Sequence, residues 1–183
     1  DLEREVFGPV LHIITYKYGE LEQLIDRINA KGYGLTMGLH TRIDETINTV
    51  IQRAEVGNLY INRNIVGAVV GVQPFGGEGL SGTGPKAGGP LYMYRLMEHC
   101  SEKVLATPFA VKAEISQFDA VSNVAYQNLL TWAKQNMPQA IPTIPAFGVG
   151  KFYELQGPTG ESNQYIILPR HRVLSIADDE ASQ

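Results

Sequence analysis

Short apolar runs alternate with amphipathic helical stripes over the first 63 residues, and this alternation predicts an α/β fold with a parallel-type sheet. Each helical stretch is long enough to carry the chain back to a parallel neighbour, which a tight turn could not do. From residue 107 onward one long helical stretch is followed by a Pro/Gly-rich segment and several short strand-like runs, which predicts a small α+β extension. The expected division is therefore 1–106 and 107–183.

The run 10–16 (VLHIITY) is almost continuously apolar and β-branched, as expected of a strand covered on both faces, with His12 as a satisfied core or strand-end histidine. In 20–31, Leu21, Leu24, Ile25 and Ile28 fall at i, i+3, i+4 and i+7, one helical stripe, and Gly32 and Gly34 stop it. Strand alternation returns at 35–41 through Leu35, Met37 and Leu39. A second helix is expected over 43–54 from Ile43, Ile47, Val50, Ile51 and Ala54, and a third strand over 58–63. Further on, 88–98 reads as a short helix and 100–107 as a strand. The longest helix is expected over 118–137, with Val121, Ala125, Leu129 and Trp132 on one face. Three prolines and two glycines make 138–150 irregular. Strands are expected at 152–155, 165–168 and 172–176, with Gly157-Pro158-Thr159-Gly160 as the turn between the first two.

The composition excludes several functions. A net charge of −4 provides no basic footprint for nucleic acid and no polybasic patch for a lipid surface. No apolar run reaches the ~20 residues of a spanning helix. A single cysteine cannot form an intrachain disulfide, which fits a reducing, cytoplasmic compartment. The chain opens without a methionine on charged residues leading straight into an apolar run, and its last strand-like run stops just before Asp178, so it reads as a piece of a longer protein.

The densest feature is 67–89, GAVVGVQPFGGEGLSGTGPKAGG, which holds nine of the nineteen glycines. Glycine lets a backbone take positive φ or lie directly against another group. A flexible linker would lack large apolar side chains, whereas this stretch carries Val69, Val70, Val72, Pro74, Phe75 and Leu80, so an ordered binding loop pressed on a core is expected. It follows the third strand, at the edge where open α/β sheets bind ligands.

Within it, Gly77-Glu78-Gly79-Leu80-Ser81-Gly82 matches the dinucleotide pattern G-x-G-x-x-G. The pattern needs a strand before it and a helix after it, and the flanking Pro74 and Pro85 argue against both. Cys100 is the only thiol; Glu98 and Glu102 beside it raise a thiol's pKa, so it reads as structural and not as a nucleophile. No catalytic residue and no metal cluster emerges. Glu5 and Phe7, two apart in an extended segment, would point the same way, although from the residues alone this is equally a strand-entry turn.

The segments EVFGPV, YGLTMGLHTR, AEVGNLYINR and QPFGGEGLSGTG, in this order, resemble the C-terminal half of the aldehyde dehydrogenase catalytic domain. The loop GAVVGVQPFGGEGLSGTGPKAGGP is similar to that of Δ1-pyrroline-5-carboxylate (glutamate semialdehyde) dehydrogenases, and LQGPTGESN with LPRHRVLSIADDE resembles the segment after this domain in bacterial bifunctional proline-catabolic enzymes. The resemblance implies part of a three-layer α/β catalytic domain that uses NAD, with FAD only in a domain upstream of these residues. It implies that Glu5 accepts hydrogen bonds from the nicotinamide ribose and that Phe7 packs near the nicotinamide. It also implies that Gly67 and Ala68 anchor a substrate carboxylate through main-chain N–H groups and that Phe75 lines the substrate's aliphatic part. From the residues alone, Phe75 is equally a plug for the loop. The family's nucleophilic cysteine and general-base glutamate match no residue here, so the chain by itself is expected to be inactive. The implied partners are a small-molecule aldehyde and further copies of the same protein, in the cytoplasm or peripheral at the inner membrane. The remaining alternatives are an aldehyde dehydrogenase of other substrate and a non-catalytic oligomerisation module using 100–107 as an edge strand.

Overall fold

The computed structural model of the chain describes residues 4–99, 114–115, 124–138 and 151–167. The chain divides into two compact units, Asp1–Glu98 and His99–Gln183.

In the first unit the helical stripe at 20–31 folds as α1, Leu21–Asn29, and the stripe at 43–54 as α2, Asp44–Arg53. Their apolar faces meet through Ile25 and Val50, which are 2% and 3% exposed. Burial of that completeness contributes about 1.5–3 kcal/mol per side chain. The polar rim of the same contact is also joined. The Asn29 amide donates to the Arg53 carbonyl at 2.7 Å and accepts from the Glu55 N–H at 3.1 Å, so the end of one helix closes the end of the other. Arg53 donates to Glu22 at 2.9 Å and to Asp26 at 2.7 Å on the exposed side.

Between the helices run β1, Tyr33–Gly34, and β2, Thr36–Leu39; after α2 comes β3, Asn58–Ile61. Strands β2 and β3 pair in parallel, Thr36 opposite Asn58 through Leu39 opposite Ile61, with α2 as the crossover. The expected β-α-β unit is therefore present. The carboxyl edge is sewn together by Asn62, whose side chain accepts from the Thr41 N–H at 3.0 Å and donates to the Thr41 carbonyl at 2.9 Å. Asn62 stands at φ 56°, which a short amide side chain tolerates better than most.

The run 10–16 departs from expectation. It forms no ladder among the described residues, and Leu11, Ile13 and Ile14 are 84%, 81% and 69% exposed. His12 is exposed as well and is not a core histidine. β-Branched composition describes a side chain suited to a half-buried pleated surface, but a strand exists only where a neighbour supplies the ladder.

The glycine-rich segment is ordered. Its Glu78–Gly79 forms β4, antiparallel to β1, with Tyr33 opposite Gly79. Pro74 is buried and Val72 and Phe75 are half-buried, whereas Val70 and Leu80 remain 97% and 70% exposed. The expected short helix at 88–98 is a single 3-10 turn, Met93–Leu96.

In the second unit β5 (Glu114–Ile115), β6 (Lys151–Leu155) and β7 (Asn163–Ile166) form an antiparallel sheet in that order, and the unit also contains the helix α3, Val124–Asn136. β6 and β7 make the expected hairpin, two residues earlier in its second strand, around the Gly157–Gly160 turn, where Glu161 N–H donates to Pro158 O at 3.1 Å. Tyr153 and Tyr165 face each other across it, both buried, and burial raises both phenol pKa values. In α3 the buried residue among those described is Ala133, while Leu129 and Trp132 of the expected face are about half exposed and the side chain of Ala125 lies outside those described. Periodicity gives a helix an apolar stripe; the neighbour decides which part of it is covered. Val121, the strands expected at 100–107 and 172–176, and Cys100 lie outside the described residues.

Candidate functional site

The glycine-rich segment leaves the carboxyl edge of the parallel pair and is tied back to its amino end, at Asn58, Gly57, Gly34 and Gly32. Asn58, the first residue of β3, donates from its amide to Pro74 O at 2.9 Å and accepts from Gly76 N–H at 3.2 Å. Phe75 and Ala87 form an isolated antiparallel bridge, with Phe75 N–H donating to Ala87 O at 3.0 Å and Ala87 N–H donating to Phe75 O at 2.8 Å. The Lys86 ammonium donates to Gly76 O at 3.0 Å and to Gly57 O. Burial pushes the Lys86 pKa below its ordinary value, and the Glu78 carboxylate opposes that shift. Farther along, Ser81 Oγ accepts from Gly34 N–H at 3.1 Å, and Leu80 N–H donates to Gly32 O at 2.8 Å.

This close docking explains one glycine directly. A Cβ on Gly57 would collide with Gly76 O, so only glycine lets strand and loop meet there. The G-x-G-x-x-G match serves this docking too: its Gly79 sits in β4 against β1, and the residues after Gly82 are irregular with no helix, so a dinucleotide turn is not formed.

Gly67 and Ala68 are half-buried at the start of the segment. Just after them Val69 closes a turn: its N–H donates to Gln73 Oε1 at 3.0 Å, and its carbonyl accepts from Gln73 N–H at 2.9 Å. Among the described residues neither the Gly67 nor the Ala68 N–H donates a hydrogen bond. Among the described residues the neighbouring Val70 and Gly71 N–H groups donate none either, so residues 67–71 present several open main-chain donors beside the Val69 turn. Phe75 is half-buried at the bridge to Ala87.

Glu5 and Phe7 are both exposed, Phe7 at 84%, and stand in the segment before α1 with no hydrogen bond to the glycine-rich loop among the described residues. The structure thus ties the neighbours of Phe75 to β3 and shows no such tie for Glu5 or Phe7 among the described residues. An open cleft of about 260 Å³ lies elsewhere, between the unpaired run and α1, lined by Ile14, Tyr16, Glu20 and Arg27 among others; it shares no residue with the loop. Among the described residues no group of three His, Cys, Asp or Glu side chains converges on a metal position. No described helix is long and apolar enough to cross a membrane.

Asn58 and Lys86 were not singled out from the sequence. The only available sign was a single lysine within a glycine/proline-rich loop, and a lysine there is ordinarily a solvated tip.

Comparison with known proteins agrees with the resemblance. Residues 2–102 match the aldehyde dehydrogenase family. "Bifunctional protein PutA" of Escherichia coli (strain K12) is 54% identical over 188 residues, covering 98% of this chain but 14% of that relative. A "1-pyrroline-5-carboxylate dehydrogenase" of Bacillus licheniformis is 41% identical over 108 residues, covering 59% of this chain and 20% of that relative. A crystal structure of a Bradyrhizobium japonicum proline utilization A mutant shares 61% identity with a TM-score of 0.50, covering 51% of this chain and 10% of that one. This chain therefore spans a small part of the length of the proteins it matches. With more than half of its residues matching, the chain belongs to the aldehyde dehydrogenase family.

Proposed function

We propose that this chain supplies part of the active site of an NAD-dependent L-glutamate γ-semialdehyde (Δ1-pyrroline-5-carboxylate) dehydrogenase of proline catabolism, working within a longer protein. Family membership and the names of the relatives support the reaction class. The observation that carries the substrate is the pair of open N–H groups at Gly67 and Ala68. A simple aldehyde has no use for two adjacent main-chain donors, whereas a substrate with a carboxylate at its far end does.

In this reading Gly67 and Ala68 hold the carboxylate and Phe75 packs against the methylenes, leaving the aldehyde carbon at the far end of the substrate. Glu5 accepts hydrogen bonds from the nicotinamide ribose, and Phe7 covers one side of the ring. Their exposure and two-residue spacing fit a cofactor that approaches from outside this segment. NAD, when bound, supplies the hydride acceptor; water supplies the second oxygen of the product carboxylate. The sheet and helices form part of the family's three-layer catalytic domain, residues 107–183 form the start of an extension, and the whole protein is a cytoplasmic homo-oligomer.

The test compares two aldehydes of similar length in the full-length protein, glutamate semialdehyde and pentanal. Ala68→Gly keeps the donor and should be mild, while Ala68→Pro deletes it. A lost hydrogen bond to a charged group costs about 1.5–3 kcal/mol, so kcat/KM for the semialdehyde should fall roughly ten- to a hundred-fold with pentanal little changed. An equal loss on both aldehydes makes the loop structural and removes the carboxylate assignment.

A further inference from the structure

Every main-chain polar group of the tripeptide Pro74-Phe75-Gly76 is engaged. Pro74 O accepts from the Asn58 amide, Phe75 N–H and O are both used by Ala87, Gly76 N–H donates to Asn58 Oδ1, and Gly76 O accepts from Lys86. Proline at 74 has no N–H, so the set is complete. This saturation is local, because Val70 and Leu80 in the same loop are largely exposed and the Gly67 and Ala68 N–H groups are open.

The partners also come from well-separated places. Asn58 begins β3, and Lys86 lies ten residues beyond Gly76 and 29 beyond Gly57. The lysine is suited to the task, since an ammonium on a flexible stem can aim separate donors at two carbonyls that a planar guanidinium fork would not match. With its backbone fixed on both sides, Phe75 retains only its own side-chain rotation.

We infer that Asn58 and Lys86 are positioning residues for the aldehyde site: they clamp residues 74–76 so that the Phe75 ring is preset against the substrate's aliphatic portion before the aldehyde arrives. This rests on the function proposed above and adds two residues that touch neither substrate nor cofactor. Displacing a positioning group by about an ångström can cost up to ~100-fold in rate, so the clamp acts through substrate geometry.

The experiment uses the full-length protein with Lys86→Met, Phe75→Ala and the double variant. Lys86→Met should raise the KM for glutamate semialdehyde about ten-fold and leave the KM for NAD within about two-fold, and Lys86→Arg should recover only part of the loss. In the Phe75→Ala background Lys86→Met should add less than about two-fold, because its effect passes through that ring. Additive effects, or an equal rise in both KM values, overturn the inference and make the lysine a general structural tie. Where Lys86→Met does not fold, Asn58→Asp, which keeps the acceptor and deletes the donor, is read the same way. Hydrogen exchange separates this inference from the reaction itself. Phe75, Gly76 and Ala87 amides should exchange at least ten-fold faster in Lys86→Met while Ile25 and Val50 amides hold. Faster exchange in a protein inactive on the semialdehyde keeps the clamp and discards the substrate; unchanged exchange discards the clamp even in an active enzyme.

Discussion

Glu5 and Phe7 stand two residues apart and both face solvent, which is the spacing an extended segment needs to present a carboxylate and a ring to one ligand. If Glu5 receives the ribose hydroxyls, Glu5→Ala removes a charged acceptor worth about 1.5–3 kcal/mol, and the KM for NAD in the full-length protein should rise ten-fold or more. Steady-state kinetics with each substrate varied in turn checks it: an unchanged NAD KM with a raised aldehyde KM contradicts the assignment. Glu5 was singled out through the resemblance carried by EVFGPV, since from the residues alone its segment is equally a strand-entry turn. Asn58 and Lys86 could not be singled out, because their partners lie 10 to 29 residues away and nothing local marks a side chain that closes a loop at that range.

At the scale of elements, the α1–α2 pair was legible from periodicity, since Leu24, Ile25, Ile47 and Val50 fall on stripes that can only be covered by one another or by the sheet. Its stability should rest on the apolar seam and not on the ion pairs above it. Ile25→Ala removes a side chain that is 2% exposed and should cost about 2–5 kcal/mol. Arg53→Ala breaks the contacts to Glu22 and Asp26, but all three side chains are substantially exposed and water screens them. Thermal melting should therefore show a clear drop for Ile25→Ala and a much smaller one for Arg53→Ala; the reverse order would place the stabilisation in the charges. The two misread elements share a cause. Among the described residues, the run 10–16 has strand composition without a ladder, and in α3 Ala133 is covered while Trp132 is half exposed. Both depend on a neighbour that composition does not specify.

For the molecule as a whole, the informative surface is the exposed apolar run of Val10, Leu11, Ile13 and Ile14 beside α1. Apolar surface of this extent promotes association of soluble chains and binds apolar dyes. The isolated 183-residue chain should therefore enhance the fluorescence of anilinonaphthalene sulfonate and elute heterogeneously on size exclusion. It should also form no NADH from glutamate semialdehyde, since its one thiol, Cys100, lies between Glu98 and Glu102, and such carboxylates disfavour the thiolate. A monodisperse, dye-silent chain would show that the run is covered in solution, and NADH formation would show that a nucleophile is present after all.

What the sequence by itself determined is whatever depends on neighbours a few residues apart: the two amphipathic helices, the parallel crossover between them and the sheet, the hairpin around Gly157–Gly160, and the family, which is carried by contiguous motifs. What only the tertiary structure decided is which polar groups find partners across long stretches of chain. That Gly57 must be glycine because Gly76 O lies against it, that Asn58 and Lys86 close around Phe75, and that the Gly67 and Ala68 N–H groups stay open all follow from where the loop lands on β3. Hydrogen bonding acts over about 3 Å, whatever the separation in sequence, so it becomes readable only once the chain has brought those atoms together.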